Sequence, residues 1–239
     1  MSKTVFITGG SRGIGACAVK EFSHLGYNVA FTYFKSEDCA KEIEKSTGAC
    51  AFFADASKSE DINKAVKATI EKYGKIDILI NNAGIDEFAL FTDITDEMWH
   101  KMIDTNLSSA FYASRAVLPQ MISRKAGVII NISSMWGQVG ASCEAHYSVS
   151  KAGMIGLTKA LAKEVGPSGI RVNCVCPGVI DTDMNKHLSL EDLEQLKSDT
   201  PLSKIGKCED IVNTLIFLSE DKSSFITGQI LGVNGGYII

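Results

Sequence analysis

The sequence predicts a doubly wound parallel α/β sheet of about seven strands, with helices on both faces in three α/β/α layers. Three observations carry this. Short β-branched runs alternate with longer amphipathic stretches along the chain. The strands are continuously apolar rather than alternating, as strands buried on both faces are. A glycine-rich turn, "TGGSRGIG" (8–15), joins the first strand to the first helix.

The elements follow in order. "TVFITG" (4–9) reads as a buried strand, and Gly13 to Leu25 as a helix stopped by Gly26. "NVAFTY" (28–33) is the second strand, followed by a helix to about Thr47 and the strand "CAFFAD" (50–55). Ser59 to Tyr73 is a helix with Ser57 or Ser59 as expected cap and Gly74 as stop. "DILINNAG" (77–84) is a strand running into a loop. Thr95 opens one long helix to about Ser123, bent at Pro119. "GVIINISS" (127–134), a helix over about His146–Val165 and "IRVNCVCPG" (170–178) come next. A helix near Glu209–Ser219 and the strand "QILGVNGG" (229–236) close the chain. No linker, low-complexity run or repeat beyond the βα unit interrupts residues 1–239, so one domain is expected. Residues 179–205 read as irregular, and a long loop in such a fold is an expected lid.

Bulk composition narrows the function classes. The 239 residues are 45% apolar and 22% charged, a soluble globular balance without a membrane signature. A net charge of −4 argues against nucleic acid or an anionic membrane as partner. Seven scattered cysteines form no Cys-x-x-Cys pair or Cys/His cluster, so no metal is expected. Cys174 and Cys176 share one face of their strand. The cysteines read as small buried residues in a reducing cytosol. The first strand begins a few residues from Met1, leaving no room for an apolar leader, and a cytoplasmic protein is expected.

In the glycine turn, Gly9 permits the tight bend, Gly13 admits a pyrophosphate to the backbone, and Gly15 lets the helix approach the sheet. Ser11, Arg12 and Ile14 complete the loop. The helix then presents free N–H donors to the phosphates. The spacing is Gly-x-x-x-Gly-x-Gly. In this it resembles the short-chain dehydrogenase/reductase family, a group with a Rossmann-type sheet. The rest of that family's pattern follows in order: Asp55 with Ala56, "NNAG" with Asn82, Ala83 and Gly84, Asn106 in "TNL", and Ser134 in "SSMWG". Tyr147 and Lys151 form Tyr-x-x-x-Lys, and "CPGVIDTDM" carries Pro177, Gly178, Ile180 and Thr182.

The resemblance implies hydride transfer to a ketone, with Tyr147 as proton donor. Lys151, one helical turn later, shares its face and favours the tyrosinate form. By the same resemblance Lys151 also holds the nicotinamide ribose, Ser134 bonds the substrate oxygen, and Asn106 holds a water that relays protons to Lys151. Asp55 contacts the adenine. Singly, each residue has a plainer reading: Tyr147 as core, Lys151 as a solvated helix residue, Ser134 and Asn106 as caps. His146 points about 100° from Tyr147 and is expected to contact substrate or a subunit surface. Met98 and Met102 read as packing.

The cofactor is read from "TYFKSED" (32–38). An acid that would hold a ribose 2′-hydroxyl is missing from the end of the second strand, where Tyr33 and Phe34 stand. Lys35, Ser36 and Arg12 instead make a cationic pocket for a 2′-phosphate, so NADPH (NADP) is expected over NADH. Glu37 and Asp38 fall in the next helix's first turn.

Within the family the chain is most similar to bacterial 3-oxoacyl-ACP reductases, through "TNLSSAF", "YSVSKAG" and "ITGQILGVNGG". That implies a β-ketoacyl thioester on acyl carrier protein, fatty acid synthesis, and a homotetramer with Phe111, Ala113, Leu157 and Leu161 as interface or core. Arg124 and Lys125 are candidate docking cations for the acidic carrier, whereas "GPSG" (166–169) lacks the second basic position. "SSMWGQVGASCEAHYS" (133–148) also resembles a subgroup that reduces an aminopentanone on a lysine of elongation factor P. Glu144, Asp86 and Glu87 would then meet a substrate amine, Glu144 otherwise facing solvent or holding its own loop. A nicotinamide-binding regulator is the non-enzymatic alternative on this fold.

Overall fold

A computed structural model describes residues 2–185 and 188–239. Seven strands form one parallel sheet in the order β3-β2-β1-β4-β5-β6-β7. They are β1 (Thr4–Ile7), β2 (Asn28–Tyr33), β3 (Cys50–Phe53), β4 (Ile78–Asn81), β5 (Gly127–Ile132), β6 (Ile170–Pro177) and β7 (Ile230–Val233). The order reverses between β1 and β4, whose register pairs Val5 with Ile78 and Ile7 with Ile80. At that switch point the carboxyl ends of neighbouring strands splay apart and leave a crevice.

The helices are α1 (Gly13–His24), α2 (Glu37–Thr47), α3 (Ser59–Tyr73), α4 (Asp96–Ile103), α5 (Ser109–Arg124), α6 (Trp136–Val139), α7 (Ala145–Val165), α8 (Leu190–Asp199) and α9 (Cys208–Ser219). Two buried apolar clusters fill the faces of the sheet. One joins Val5, Ile7 and Phe31 to α1 and α9 through Phe22 and Leu215. The other joins Phe6, Leu79 and Ile129 to α3, α5 and α7 through Ile62, Val117 and Leu161. Burying each such side chain stabilises the fold by about 1.5–3 kcal/mol.

Three features depart from the sequence reading. The helix expected from Thr95 to Ser123 is two helices, α4 and α5, joined by a π turn over Asp104–Ser108 that contains Asn106. Thr95 does cap the first, its hydroxyl accepting from Met98 N at 3.2 Å. Neither serine caps α3: Ser57 donates to Asp55 at 2.7 Å, and Ser59 already lies inside the helix. The span 179–205 is not structureless. Ser189 and Asp192 form a capping box that starts α8, and Asp183–Asn185 is a 3₁₀ turn; residues 186 and 187 lie outside the described residues.

A buried polar chain ties the sheet to the helix that carries the Tyr-x-x-x-Lys motif. Asn81 Nδ2 donates to Asn131 Oδ1 at 2.8 Å, and Asn131 Nδ2 donates to Thr158 Oγ1 of α7 at 2.8 Å. All three side chains are at most 2% exposed. Paired in a low-dielectric interior, these bonds fix the height of α7 over β5. Asn131→Ala removes both bonds and opens a cavity. It should cost about 2–3 kcal/mol and lower Tm by about 5–10 °C; thermal melts followed by circular dichroism read it directly.

Candidate active site

The carboxyl edge of the sheet opens into a cavity of about 650 Å³ at the switch point. Its phosphate end is built by exclusion of side chains. Gly9 has φ +69°. A Cβ on Gly15 would stand 2.1 Å from Gly9 O, and one on Gly10 would stand 2.6 Å from Phe31 Cβ. Only glycine fits these two positions, and Gly10 is the one the motif reading passed over. Arg12 caps α1 in extended conformation without any side-chain cap bond. The first-turn N–H groups of α1 are thereby left to an anion.

The "NNAG" loop clasps this turn. Asn82 Nδ2 donates to Thr8 O at 3.1 Å and to Gly9 O at 2.9 Å, while Thr8 Oγ1 accepts from Asn82 N and Ala83 N at 3.0 and 3.1 Å. The cavity is lined by Gly9, Ser11, Arg12, Gly13 and Ile14 at this end, with Phe34, Lys35, Ser36, Asp55 and Ala56 beyond. Asn82, Ala83, Gly84, Pro177, Gly178, Ile180 and Thr182 line its middle, and Ser134, Tyr147 and Lys151 its floor. Of the candidate catalytic and cofactor-binding residues, Gly15 and Asn106 alone do not line it. Gly15 lies beneath the turn. Asn106 is buried, and its carboxamide is engaged: Oδ1 accepts from Ile85 N at 2.8 Å, and Nδ2 donates to Ile85 O and Ser150 Oγ at 2.9 and 3.1 Å. The Asp55 carboxylate holds Ser57 N and its hydroxyl, shaping the β3–α3 turn.

Ser134, Tyr147 and Lys151 converge because β5 ends where α7 passes over it. Ser133 Oγ donates to Lys151 O at 2.7 Å, and Lys151 Nζ donates to Ile132 O at 3.0 Å. Nζ lies 5.7 Å from the Tyr147 ring centroid. Burial pushes the Tyr147 phenol up from its usual value. A hydrogen bond with Ser134 pulls it back, and the Glu144 and Asp86 carboxylates push it further up. Burial pushes Lys151 down to about 8, against the smaller upward pull of Cys174, Cys176 and Asp86. The expectation that Lys151 lowers the phenol is thus outweighed: desolvation favours the neutral form of both groups. A neutral phenol beside a Ser hydroxyl can deliver a proton to a ketone oxygen that becomes negative.

Three other readings are corrected. His146 touches neither the cavity nor the surface. It is fully buried in the first turn of α7, which packs against α6 and α4, and both ring nitrogens lack a hydrogen-bond partner. Glu144 does not face solvent; it is 7% exposed and lines the cavity with Asp86, whereas Glu87 pairs with Lys101 at 3.3 Å. Arg124 lies before β5, at the sheet edge opposite Ser134. There it binds Asp77 at 2.9 Å and Ile76 O at 2.7 Å. Its guanidinium clamps β4 and does not stand at the cavity. Trp136, Met135 and Met184, apolar residues lining the substrate end, went unnoticed; "SSMWG" was the available signal for the first two.

A glycine cradle for a dinucleotide, leading to a Ser–Tyr–Lys floor, defines an oxidoreductase acting on CH–OH and C=O groups. The comparisons agree. A family model described as Enoyl-(Acyl carrier protein) reductase matches residues 9–238. The chain is 42% identical over 241 residues to 3-oxoacyl-[acyl-carrier-protein] reductase FabG of Chlamydia trachomatis, covering 99% of this chain and 97% of that one. It is 39% identical to the reductase of the same name from Staphylococcus epidermidis, covering 99% of each. A mutant short-chain dehydrogenase/reductase of Serratia marcescens superposes with a TM-score of 0.91 at 34% identity, over 98% of this chain and 97% of that one. The chain belongs to the short-chain dehydrogenase/reductase family. Among the described residues no cluster of His, Cys, Asp or Glu could hold a metal, and no helix is long and apolar enough to cross a membrane.

The buried lysine has a consequence for stability. Its folded pKa of about 8 lies below the ordinary ~10.4, so the unfolded chain binds more protons between these values. The penalty is fully present below pH 8 and fades as pH rises through that window. Lys151→Met should therefore be more stable than wild type at pH 7, by roughly 1–3 kcal/mol, with the gain shrinking toward pH 10. Parallel melts at the two pH values check this; an equal difference at both would contradict it.

Proposed function

We propose that the chain is an NADPH-dependent ketone reductase acting on 3-oxoacyl thioesters carried on acyl carrier protein, in the fatty acid synthesis of the cytoplasm. The observation that carries this is the Ser134–Tyr147–Lys151 floor at the end of the glycine-lined crevice. The cradle fits a dinucleotide, since its glycines leave no room for side chains and no side chain bonds the first-turn N–H groups of α1. Arg12 and Lys35 both line the cavity, and Tyr33 and Phe34 rather than an acid stand at the end of the second strand, which suits a 2′-phosphate. NADPH bound there supplies the hydride. Ser134 holds the ketone oxygen, and Tyr147 gives it a proton. Lys151 orients the ribose and replenishes the proton, and Asn106 holds the turn beside it. Residues 179–205, with α8, close over the substrate as a lid. The curated relatives' names support a 3-oxo substrate, and the Tyr-x-x-x-Lys pair suits a ketone. A homotetramer is supported by the exposed Leu90, Phe91 and Phe111, whereas Ala113 and Leu161 are buried in the chain's own core.

The test is NADPH oxidation with an acetoacetyl thioester. NADPH should be used well and NADH poorly. Tyr147→Phe should lower turnover by about 10²–10⁴ while NADPH still binds, as seen by its fluorescence. Equal use of NADH would overturn the cofactor assignment, and near-normal activity of the variant would remove Tyr147 from the chemistry.

One observation favours a second substrate class. Glu144 and Asp86 face the cavity where an acyl tail needs no charge, and both act on the Tyr147 phenol. An amine-bearing ketone, such as a 5-aminopentanone linked to elongation factor P, would pair with them by charge-assisted hydrogen bonds. Glu144→Gln should then raise KM for an amino-ketone by about tenfold or more and leave a neutral ketone of equal length almost unchanged. Equal effects on both substrates would favour the acyl thioester.

A further inference from the structure

Far from the cavity, at the amino edge of the sheet's outermost strand, Cys50 opens β3 and is 7% exposed. Lys72 and Tyr73 close α3 beside it. The Lys72 Nζ lies 2.5 Å from the Cys50 Sγ, and the Tyr73 hydroxyl lies 3.2 Å from the same sulfur. Hydrogen bonds from N–H to oxygen run at ~2.7–3.2 Å, and those to the larger sulfur are longer. The nitrogen and sulfur are thus closer than a hydrogen bond holds them, yet farther apart than a direct bond. Two single bonds through one small bridging atom span such a gap.

We propose that Cys50 and Lys72 form an oxidative cross-link through one oxygen atom, Nζ–O–Sγ, with dioxygen as oxidant. The thiol and the neutral amine bring three hydrogens on sulfur and nitrogen. One oxygen atom enters the bridge, forming an N–O and an O–S bond, and one hydrogen stays on nitrogen. The other oxygen leaves as water with the remaining two hydrogens. Sulfur and nitrogen each lose two electrons, and dioxygen takes up four. The surroundings suit the reaction. Lys72 is exposed, so dioxygen reaches the pair from solvent, while Cys50 is packed into the apolar cluster and shielded from deeper oxidation. Burial and Cys50 push the Tyr73 phenol up, so it stays protonated beside the sulfur.

The bridge would close residues 50–72 into a loop that includes Asp55 and Ala56. It would pin the carboxyl end of α3 to an edge strand that has a neighbour on one side only. Cross-linking a loop of this length restricts the unfolded chain, so the oxidised form should melt about 5–10 °C above the reduced form. The site lies at the opposite sheet edge from Tyr147, so turnover should stay at the wild-type level.

Wild-type protein kept in oxygenated buffer is compared with protein kept in reductant by tryptic mass spectrometry. The oxidised sample should yield peptide 46–58 joined to peptide 68–75, uncleaved after Lys72, with a mass equal to their sum plus one oxygen less two hydrogens. Reductant should release the two. Cys50→Ser and Lys72→Arg should each abolish the joined species and the gain in Tm. Separate peptides in the oxygenated sample, Cys50 found only as sulfinic or sulfonic acid, or a joined peptide without the added oxygen would overturn the proposal.

Discussion

Two loops leave adjacent strands at the carboxyl edge of the sheet and are locked to one another through Thr8 and Asn82. Most of the site's geometry follows from this clasp. It uses the peptide groups at the end of β1 as acceptors and those after β4 as donors, so neither loop can shift alone. It also sets the floor on which α1 rests, with Gly15 against Gly9 O. The Asn106 carboxamide extends the hold by gripping Ile85 on both its N–H and its C=O. Gly84 sits between the two grips, and a Cβ there would meet Lys151 Nζ at 3.3 Å. The glycine turn and the Ser–Tyr–Lys floor are therefore one rigid surface built from short polar contacts.

Placing that floor deep in the protein sets a tension between solvation and charge. Tyr147 and Lys151 are 8% and 5% exposed, and burial drives both toward neutrality. A neutral phenol is the form that can donate a proton, and a lysine near 8 can lose and regain one near neutral pH. Desolvation, rather than pairing of opposite charges, is the force that tunes the pair. The carboxylates of Glu144 and Asp86, which line the same cavity, push that phenol further toward its neutral form.

The parallel α/β class and the glycine turn are legible in the sequence because each depends on local chemistry: continuous apolar runs and positions where a Cβ cannot fit. The Tyr147–Lys151 pair is one helical turn apart, but Ser134 joins it only through the family resemblance, and the strand order is a tertiary property. The misreadings came from tertiary choices. His146 was judged by its angle from Tyr147, but α4 and α6 fold over that face and bury it. Arg124 was judged by its charge, yet Asp77 across the strand edge engages it. Within span 179–205, α8 is marked by the Ser189–Asp192 capping box and by Leu190, Leu193 and Leu196, but no residue of it is fully buried, so its apolar stripe is short and weak. Cys50 and Lys72 stand 22 residues apart, and nothing in either neighbourhood announces the other.

The π turn at Asp104–Ser108 gives the α4–α5 rod a slack that the rest of it lacks. Such a turn accommodates one residue more than a regular helix does. Removing one residue there would let the helix close regularly while the segments on either side keep their phase, and Ala110, Ala113, Val117 and Met121 would stay packed on the sheet. The same deletion in the regular helix beyond the turn would rotate everything after it by about 100° and swing part of that face toward water. The turn is therefore where the rod can absorb a change of length, and the grip of Asn106 on Ile85 is what such a change would loosen.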